Sequence, residues 1–593
     1  MVNKTDAWWV GPDRAMRGAT VSVYGRNLAK GNVEGSSNAY VYLRSLSGGT
    51  SQWVTVSKVN PYKIDFTIPS SLANGEYEVW THNGHGGEYG WSGPLKLTVW
   101  DGLQWNATTF NVKNYGARGD GSSDDRAAIN QAIAAAKAVP GATIYFPAGT
   151  YAVSGPLSIN SNARWKGDTD PAGQPSSTIL CKNYSGGSLI FSAAAAIKNN
   201  SFEDIRMVSN GQSVGEFFID IAAATTIQWI NCEVDARGAD AMRFRGGSSY
   251  IYLTNTTLIG GKSQWGSTVF TDGIKQFFVD RCTFKMTNDC SAAIVNKGIK
   301  QASVTNSLIK DLDNSTTDGS GWGKGRIWSA TGAGGTSYHC YFAGNTGTGL
   351  GVRQSGSNLP DPNSGEVFLW EANGAIFKGT PTAAAASSVS FSSSVPNTIG
   401  SDPTAKPLAL VIVKGKGMGQ FRRITNNGGT QLTLDRPWEV MPDASSVILV
   451  GPFVEKMVIY KNALDANGKS YIANNGVDKA TASAGIEPYG GCFDFIGDAN
   501  TFQGLRKGIS TWALQHSVGV DPTYFTLFTN NKMLNCRIAI HHGTEVYQNE
   551  GIGIMAAVYR KNTIQSPIQT SIHNEVRTSD FLIISSSLYE QNN

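Results

Sequence analysis

Ile230–Ala236 reads INCEVDA, Thr254–Gly260 TNTTLIG, Asp280–Met286 DRCTFKM and Thr305–Asp311 TNSLIKD. In each, a β-rich run ends at a polar residue, a small residue follows, and a short apolar run begins. The beat recurs at Asn200, Asn231, Asn255, Asn306, Asn462, Asn500, Asn531 and Asn562, with Arg281 and His339 standing in at two places. Successive beats lie 31, 24, 26, 25, 33, 123, 38, 31 and 31 residues apart. Periods of this size signal stacked coils. Asn tolerates left-handed backbone in a tight turn, and its amide can bond the same residue one coil away. The next position supplies Cys232, Cys282 and Cys340, side chains small enough to stack inside. The expected fold is all-β: a right-handed parallel β-helix with its eight asparagines in one turn line.

Composition agrees. Of 593 residues, 16% are charged, while Gly numbers 68 and Trp 15, a balance that suits turn-rich β-structure with aromatic rings to spare for sugars. The net charge of +4 is small for this length and argues against nucleic acid as a partner. Seven scattered cysteines without a CxxC pair read as buried free thiols. No apolar run has the length of a membrane span. MVNKTDAWWV has no apolar leader, yet an extracellular location is expected for a polymer-binding β-helix. No cofactor or metal site is expected, and the chain is expected to be a monomer or a homo-oligomer.

Two domains are expected. Residues 1–100 alternate as short strands, TVSVYG, AYVYLRS, KIDFTIP, YEVWTHN and LKLTVW, between Gly, Asn and Pro turns, the pattern of a small β-sandwich. The strings GPDRAMRGATVSVYGRNL and FTIPSSLANGEYEVW resemble the IPT/TIG immunoglobulin-like family, which implies a spacer or a binding module. Trp8–Trp9 and THNGHGGEYGW are candidates for a binding rim. Residues 108–593 form the second domain. It opens on FNVKNYGARGDGSSDDRAAINQAIAAA and GATIYFPAGTY, which are similar to the N-terminal signature of the pectate-lyase-3 superfamily. That resemblance implies a helix capping the β-helix, three strands per coil, and a substrate groove on the first of them. Asp124–Asp125 opens the capping helix, so its role is structural. The 123-residue gap holds TAAAASSVSFSSSVPNT and further strand-like runs, an inserted β subdomain at about 379–450. KGKGMGQ within it lacks the context of a phosphate loop.

Under that resemblance the groove strands are FFIDIA, AMRFRG, TVFTDG, AAIVNK, RIWSAT, EVFLWE, GIEPYG and IAIHHG. Alternation along each strand selects the outward residues. With Val367 and Leu369 inside, Glu366 and Trp370 face out; with Ile486 inside, Glu487 does; with Ile538 and Ile540 inside, His541 does. Hydrolysis of a glycosidic bond needs two carboxyl groups. The candidates are Glu487, Glu371, Glu366, Asp289 and Asp272, brought close once the insertion is looped out. Trp328, Trp370 and Tyr489 would stack on sugars, while Arg243, Arg245, His541 and His542 would hydrogen-bond them. Polygalacturonase-like members carry adjacent aspartates before the first strand; here GADAMRF and TNDCSAAI offer single Asp240 and Asp289. The expected function is an extracellular glycoside hydrolase acting on a polysaccharide. The alternatives are a lyase acting on a uronate polymer and a non-catalytic glycan-binding fibre.

Overall fold

The computed structural model describes residues 4–590 apart from 30–38, 103, 185, 193–195, 211–215, 262–266, 288–289, 291, 312–316, 319–325, 331–337, 351–353, 356–365, 372–373, 397–407, 467–483, 516–517, 545–550, 568–569 and 577–587. The chain divides into two compact units, Met1–Thr108 with Val139–Thr143, and Thr109–Ala138 with Ile144–Asn593. The first unit has a four-stranded sheet (Asp6–Gly11, Thr20–Arg26, Lys63–Thr67, Val56–Asn60) and a five-stranded one (Arg14–Met16, Ser92–Trp100, Gly75–His82, Tyr40–Ser45, Gln52–Val54). Alternate residues, among them Val21, Val23, Val41, Leu43, Ile64, Phe66, Val79 and Leu97, fill one core. Trp8 and Trp9 are buried too, Trp9 stacked on Tyr24 at 3.9 Å, so this pair is packing and not a rim.

The second unit is a right-handed parallel β-helix. Three long parallel sheets run its length, with each coil contributing one strand to each sheet. The first sheet holds Leu157–Ile159, Ile190–Ser192, Phe217–Ala222, Asp240–Arg245, Ser267–Asp272, Ala292–Lys297, Arg326–Ala330, Phe368–Trp370, Ala484–Pro488, Lys507–Gln515, Ile538–Thr544 and Thr570–Val576. Helix Arg126–Lys137 buries Ile129, Ala132 and Ile133 on this unit's core. Its entrance is held by Asp124, which accepts from the Arg126 and Ser154 N–H groups, and by Asp125, which accepts from Arg118 and Gly119. Both aspartates are structural. Between the first and second sheets of one coil, Phe377–Gly379 through Val447–Gly451 form a seven-stranded antiparallel sheet with its own core. GKGMGQ joins two of its strands, Ala409–Lys414 and Phe421–Asn427.

The turn from second to third sheet uses two residues, and the asparagines divide between them. Asn231, Asn255 and Asn306 occupy the first position with φ of 52°, 48° and 52°; Arg281 joins them at 53°. The Asn255 amide donates to Asn231 at 2.9 Å. Asn462, Asn500, Asn531 and Asn562 occupy the second, buried position behind Lys461, Ala499, Asn530 and Lys561, all of positive φ. Asn462, Asn500 and Asn531 each donate to the next coil at 3.0 Å, Asn562 accepts the last of these bonds, and Asn345, absent from the expected beat, starts this ladder at 2.9 Å. In earlier coils Cys232, Thr256, Cys282 and Ser307 fill that inner position. Burial pushes the Cys232 and Cys282 thiols up to about 12. All seven cysteines are free and buried.

Two expected beats lie elsewhere. Asn200 is inside the second-sheet strand Lys198–Glu203, and His339 and Cys340 are inside Tyr338–Ala343. His339, Lys456, Asp494, Phe525 and Ala556 form a separate line of positive φ where the second-sheet register skips one residue per coil. Both lines demand left-handed backbone, so a count of polar beats alone merges them.

Candidate active site

The eight expected groove strands all lie in the first sheet, and their register draws an outward line. It runs Asp220, Arg243, Phe270, Val295, Ser329, Leu369, Glu487. Pairing of Ile486 with Ile509 sets Ser510 beside Glu487, and the line continues through His541 and His573. Two residues along, Tyr489 pairs with Trp512.

Glu487 has no exposed surface. Neither carboxyl oxygen has a hydrogen-bond partner of ordinary geometry among the described residues, although the Ser510 hydroxyl lies alongside. Burial pushes its pKa up to about 8, with Glu366 adding to the rise and Lys507 and Arg326 opposing it. Around it, Arg326 donates from Nε and Nη2 to Glu366 at 2.9 and 2.5 Å, a buried ion pair. Lys507 is also fully buried. Burial thus favours the protonated form of Glu487, which is set beside the Arg326–Glu366 ion pair and the Lys507 side chain. Displaced pKa values of buried acids cluster at functional sites, which makes Glu487 the candidate on this sheet.

This displacement has a consequence for stability. The folded state keeps a proton that the unfolded chain releases in the ordinary carboxylate range, so stability falls as pH rises from there to about 8. Melting temperature followed from about pH 5 to about pH 9 is expected to drop less in Glu487→Gln than in the unaltered protein, because Gln has no proton to lose.

A ring stack flanks the acid. Tyr489 lies on Trp512 at 6.3 Å, Trp512 on His541 at 5.2 Å, and His541 on His573 at 5.6 Å, all within 13° of parallel. The Ser510 hydroxyl is 3.0 Å from His541 Nδ1. Trp512 and His541 are buried, while Tyr489 keeps part of its ring exposed.

Several expected positions are corrected. Phe368 and Trp370 point inward and Leu369 outward, one residue out of the expected register; Trp328 and Trp370 sit in the core 6.4 Å apart and cannot stack on a sugar. His542 also turns inward, 3.5 Å from the Tyr559 hydroxyl, and burial pushes its pKa down to about 4. Glu366 is sequestered by Arg326. Arg243 and Arg245 do face out, on a strand five away from that of Glu487, but both pair with Asp220 one strand further on. Asp272 lies beside Lys297, with Arg245 near it, four strands and about 19 Å from Glu487. Asp289 lies outside the described residues. Glu371 follows Trp370, which pairs with Pro488; that puts Glu371 opposite Tyr489, diagonal to Glu487 at a backbone offset of about 8 Å.

Lys507, Ser510 and Trp512 were not among the expected site residues. Their strand lies between Asn500 and Asn531, so counting back from Asn531 reaches ISTWALQ, with Ser510 and Trp512 on the outward alternation.

Residues 109–235 match the family model described as rhamnogalacturonase A/epimerase, pectate lyase-like. That match covers the capping helix and the opening coils of the β-helix. A probable glucan endo-1,3-beta-glucosidase of Arthroderma benhamiae is 31% identical over 212 residues, which cover 31% of this chain and 23% of that protein. Mannuronan C5-epimerase AlgE3 of Azotobacter vinelandii is 65% identical over 46 residues, covering 8% of this chain and 2% of that protein. The chain thus spans less than a quarter of either curated relative. Among solved structures, PfbA, a surface adhesin of Streptococcus pneumoniae, aligns with a TM-score of 0.45 at 12% identity, covering 78% of this chain and 93% of that one. No helix among the described residues is long and apolar enough to cross a membrane.

Proposed function

We propose that this chain is an extracellular enzyme that hydrolyses a polysaccharide, with Glu487 as the acid and Glu371 as the base. The observation that carries this reading is Glu487 itself, a dry, protonated carboxyl on the groove face beside a partly exposed tyrosine. Its proton would go to the glycosidic oxygen as the bond to the leaving sugar breaks. Glu371, on the same face, would take a proton from the water attacking the opposite side of the sugar. Their diagonal placement suits the wider carboxyl separation of inverting enzymes, about 6.5–9.5 Å. The matches to a glucosidase and to a uronan epimerase support a polysaccharide as substrate. Because Glu487 has no exposed surface, binding must open a path to it, and turnover then includes a conformational step. In this reading the IPT/TIG-like sandwich serves as an accessory module and the insertion shapes the groove wall.

One observation favours elimination as a second reading. His541, joined to Ser510 next to Glu487, is a base in the place where elimination needs one to take a proton beside a uronate carboxylate. A panel of neutral and acidic polysaccharides separates the two. New reducing ends without unsaturated-uronate absorbance support hydrolysis, whereas that absorbance overturns it. Tyr489→Ala is expected to raise KM about tenfold with a smaller change in kcat, as removal of an aromatic anchor does. An unchanged KM removes Tyr489 from the substrate path.

A further inference from the structure

The five-stranded sheet of the first unit is two-faced in an unusual way. Its inward residues, Val41, Leu43, Val54, Tyr77 and Val79, belong to the core. Its outward residues on the same strands are aromatic. Trp53, on the edge strand Gln52–Val54, pairs with Tyr42, and Tyr40 pairs with His82. The Trp53 ring has Tyr42 at 5.2 Å, Trp91 at 5.5 Å and Tyr40 at 6.4 Å, and Trp91 has His82 at 5.1 Å. Despite these neighbours Trp53 is 58% exposed and Tyr40 45%.

The patch is also held rigid. The His82 Nδ1 accepts from the Gly84 N–H at 2.8 Å and Nε2 donates to the Gly87 carbonyl at 2.7 Å, which fixes the ring and ties down the loop leading to Trp91. The nearest charges on this face neutralise one another: Arg44 pairs with Glu78 at 2.6 Å, and Glu78 also accepts from Trp80 Nε1 at 2.9 Å. Cross-strand aromatic pairs stabilise a sheet by about 0.2–1 kcal/mol each. That gain does not need exposed rings, and exposing them on an edge strand invites association.

We propose that the Trp53–Tyr40–Trp91 cluster is a glycan-binding platform, separate from the groove, that takes uncharged pyranose rings of a polysaccharide. Flat rings cover the apolar C–H face of a pyranose. The charge character agrees: the Arg44–Glu78 ion pair is internally neutral, and stacking of a ring on an uncharged pyranose face needs no counter-charge. The inference rests on the reading of this chain as polysaccharide-active and assigns that activity a second, non-catalytic contact with the polymer.

The test uses the full chain in three forms: unaltered, Trp53→Ala with Tyr40→Ala, and Glu487→Gln. The probes are insoluble β-1,3-glucan, insoluble β-1,4-glucan and a cross-linked uronate gel, with binding read by depletion from solution. The unaltered protein and Glu487→Gln are expected to bind one neutral glucan alike. The double variant is expected to bind it at least about tenfold more weakly, the scale of a lost aromatic anchor. Its melting temperature should fall only slightly, as loss of cross-strand aromatic pairs implies, and its turnover of short soluble oligosaccharides should be unchanged. Equal depletion of all three forms, or no retention of the unaltered protein on either neutral glucan, overturns the proposal. So does a dimer that the double variant converts to monomer without loss of glucan binding, which would make the patch a protein interface. If the polymer is processed while the double variant binds normally, the platform falls and the catalytic reading stands. If the uronate gel alone is bound and no polymer is processed, both fall.

Discussion

Glu487→Gln is expected to lower kcat on a polysaccharide substrate by at least about a hundredfold, the scale of a lost general acid. Gln keeps the volume of Glu and sits in the same buried place, so KM should change little. The pH profile sharpens the test. With its pKa pushed up to about 8, Glu487 holds its proton through neutral pH, and activity should fall as pH rises past that value. The residual activity of the variant should lack that falling limb. Glu371→Gln is expected to remove the opposite, acid-side limb. Glu366→Gln is the control for structure: it would leave the buried Arg326 guanidinium without its ion-pair partner, so lost activity should come with a lower melting temperature. Near-normal turnover in both Glu487→Gln and Glu371→Gln would move the site elsewhere on the sheet, with Asp272 the next carboxylate to test.

Asn500→Leu is expected to destabilise the β-helix by about 3–5 kcal/mol, at the high end for a single change. The Asn500 side chain is fully buried and fully used. Its Oδ1 accepts from the Asn462 backbone N–H at 2.9 Å and from the Asn462 amide at 3.0 Å. Its own amide donates to the Ile459 carbonyl at 2.8 Å and to Asn531 at 3.0 Å. Leucine matches the size but leaves donors and acceptors stranded on two neighbouring coils, in a setting where linked amides polarise one another. Asn255→Ala offers the comparison. Asn255 is exposed, so its loss removes a solvated bond and a favourable left-handed residue, at a cost of about 1 kcal/mol. Thermal and denaturant unfolding of the two variants should rank them clearly. Equal effects would contradict the division of the asparagines into an inner and an outer position.

The turn chemistry was legible in sequence because left-handed backbone restricts residue choice locally. Asn231, Asn255 and Arg281 announce it without any tertiary contact. The groove strands were legible for a similar reason, since the chain must return to the same sheet once per coil, and Glu487 emerged from simple alternation beside Ile486. What alternation could not settle was which of two apolar sets lies inside. Val367–Leu369 and Phe368–Trp370 are equally hydrophobic, and the choice between them depends on what fills the interior opposite. There Trp328, Phe342 and Phe495 pack around Trp370, Phe495 from more than a hundred positions away. His542 follows the same logic, drawn inward by Tyr559. The sequence by itself determined a coiled β-fold, the left-handed turns at Asn231, Asn255 and Asn306, and the place of Glu487 on the first sheet. Only the tertiary structure decided that this carboxyl is dry, which neighbours shift its proton affinity, and that two tryptophans expected to meet sugar are core. Burial and proximity belong to the stacking of distant coils, and no local pattern encodes them.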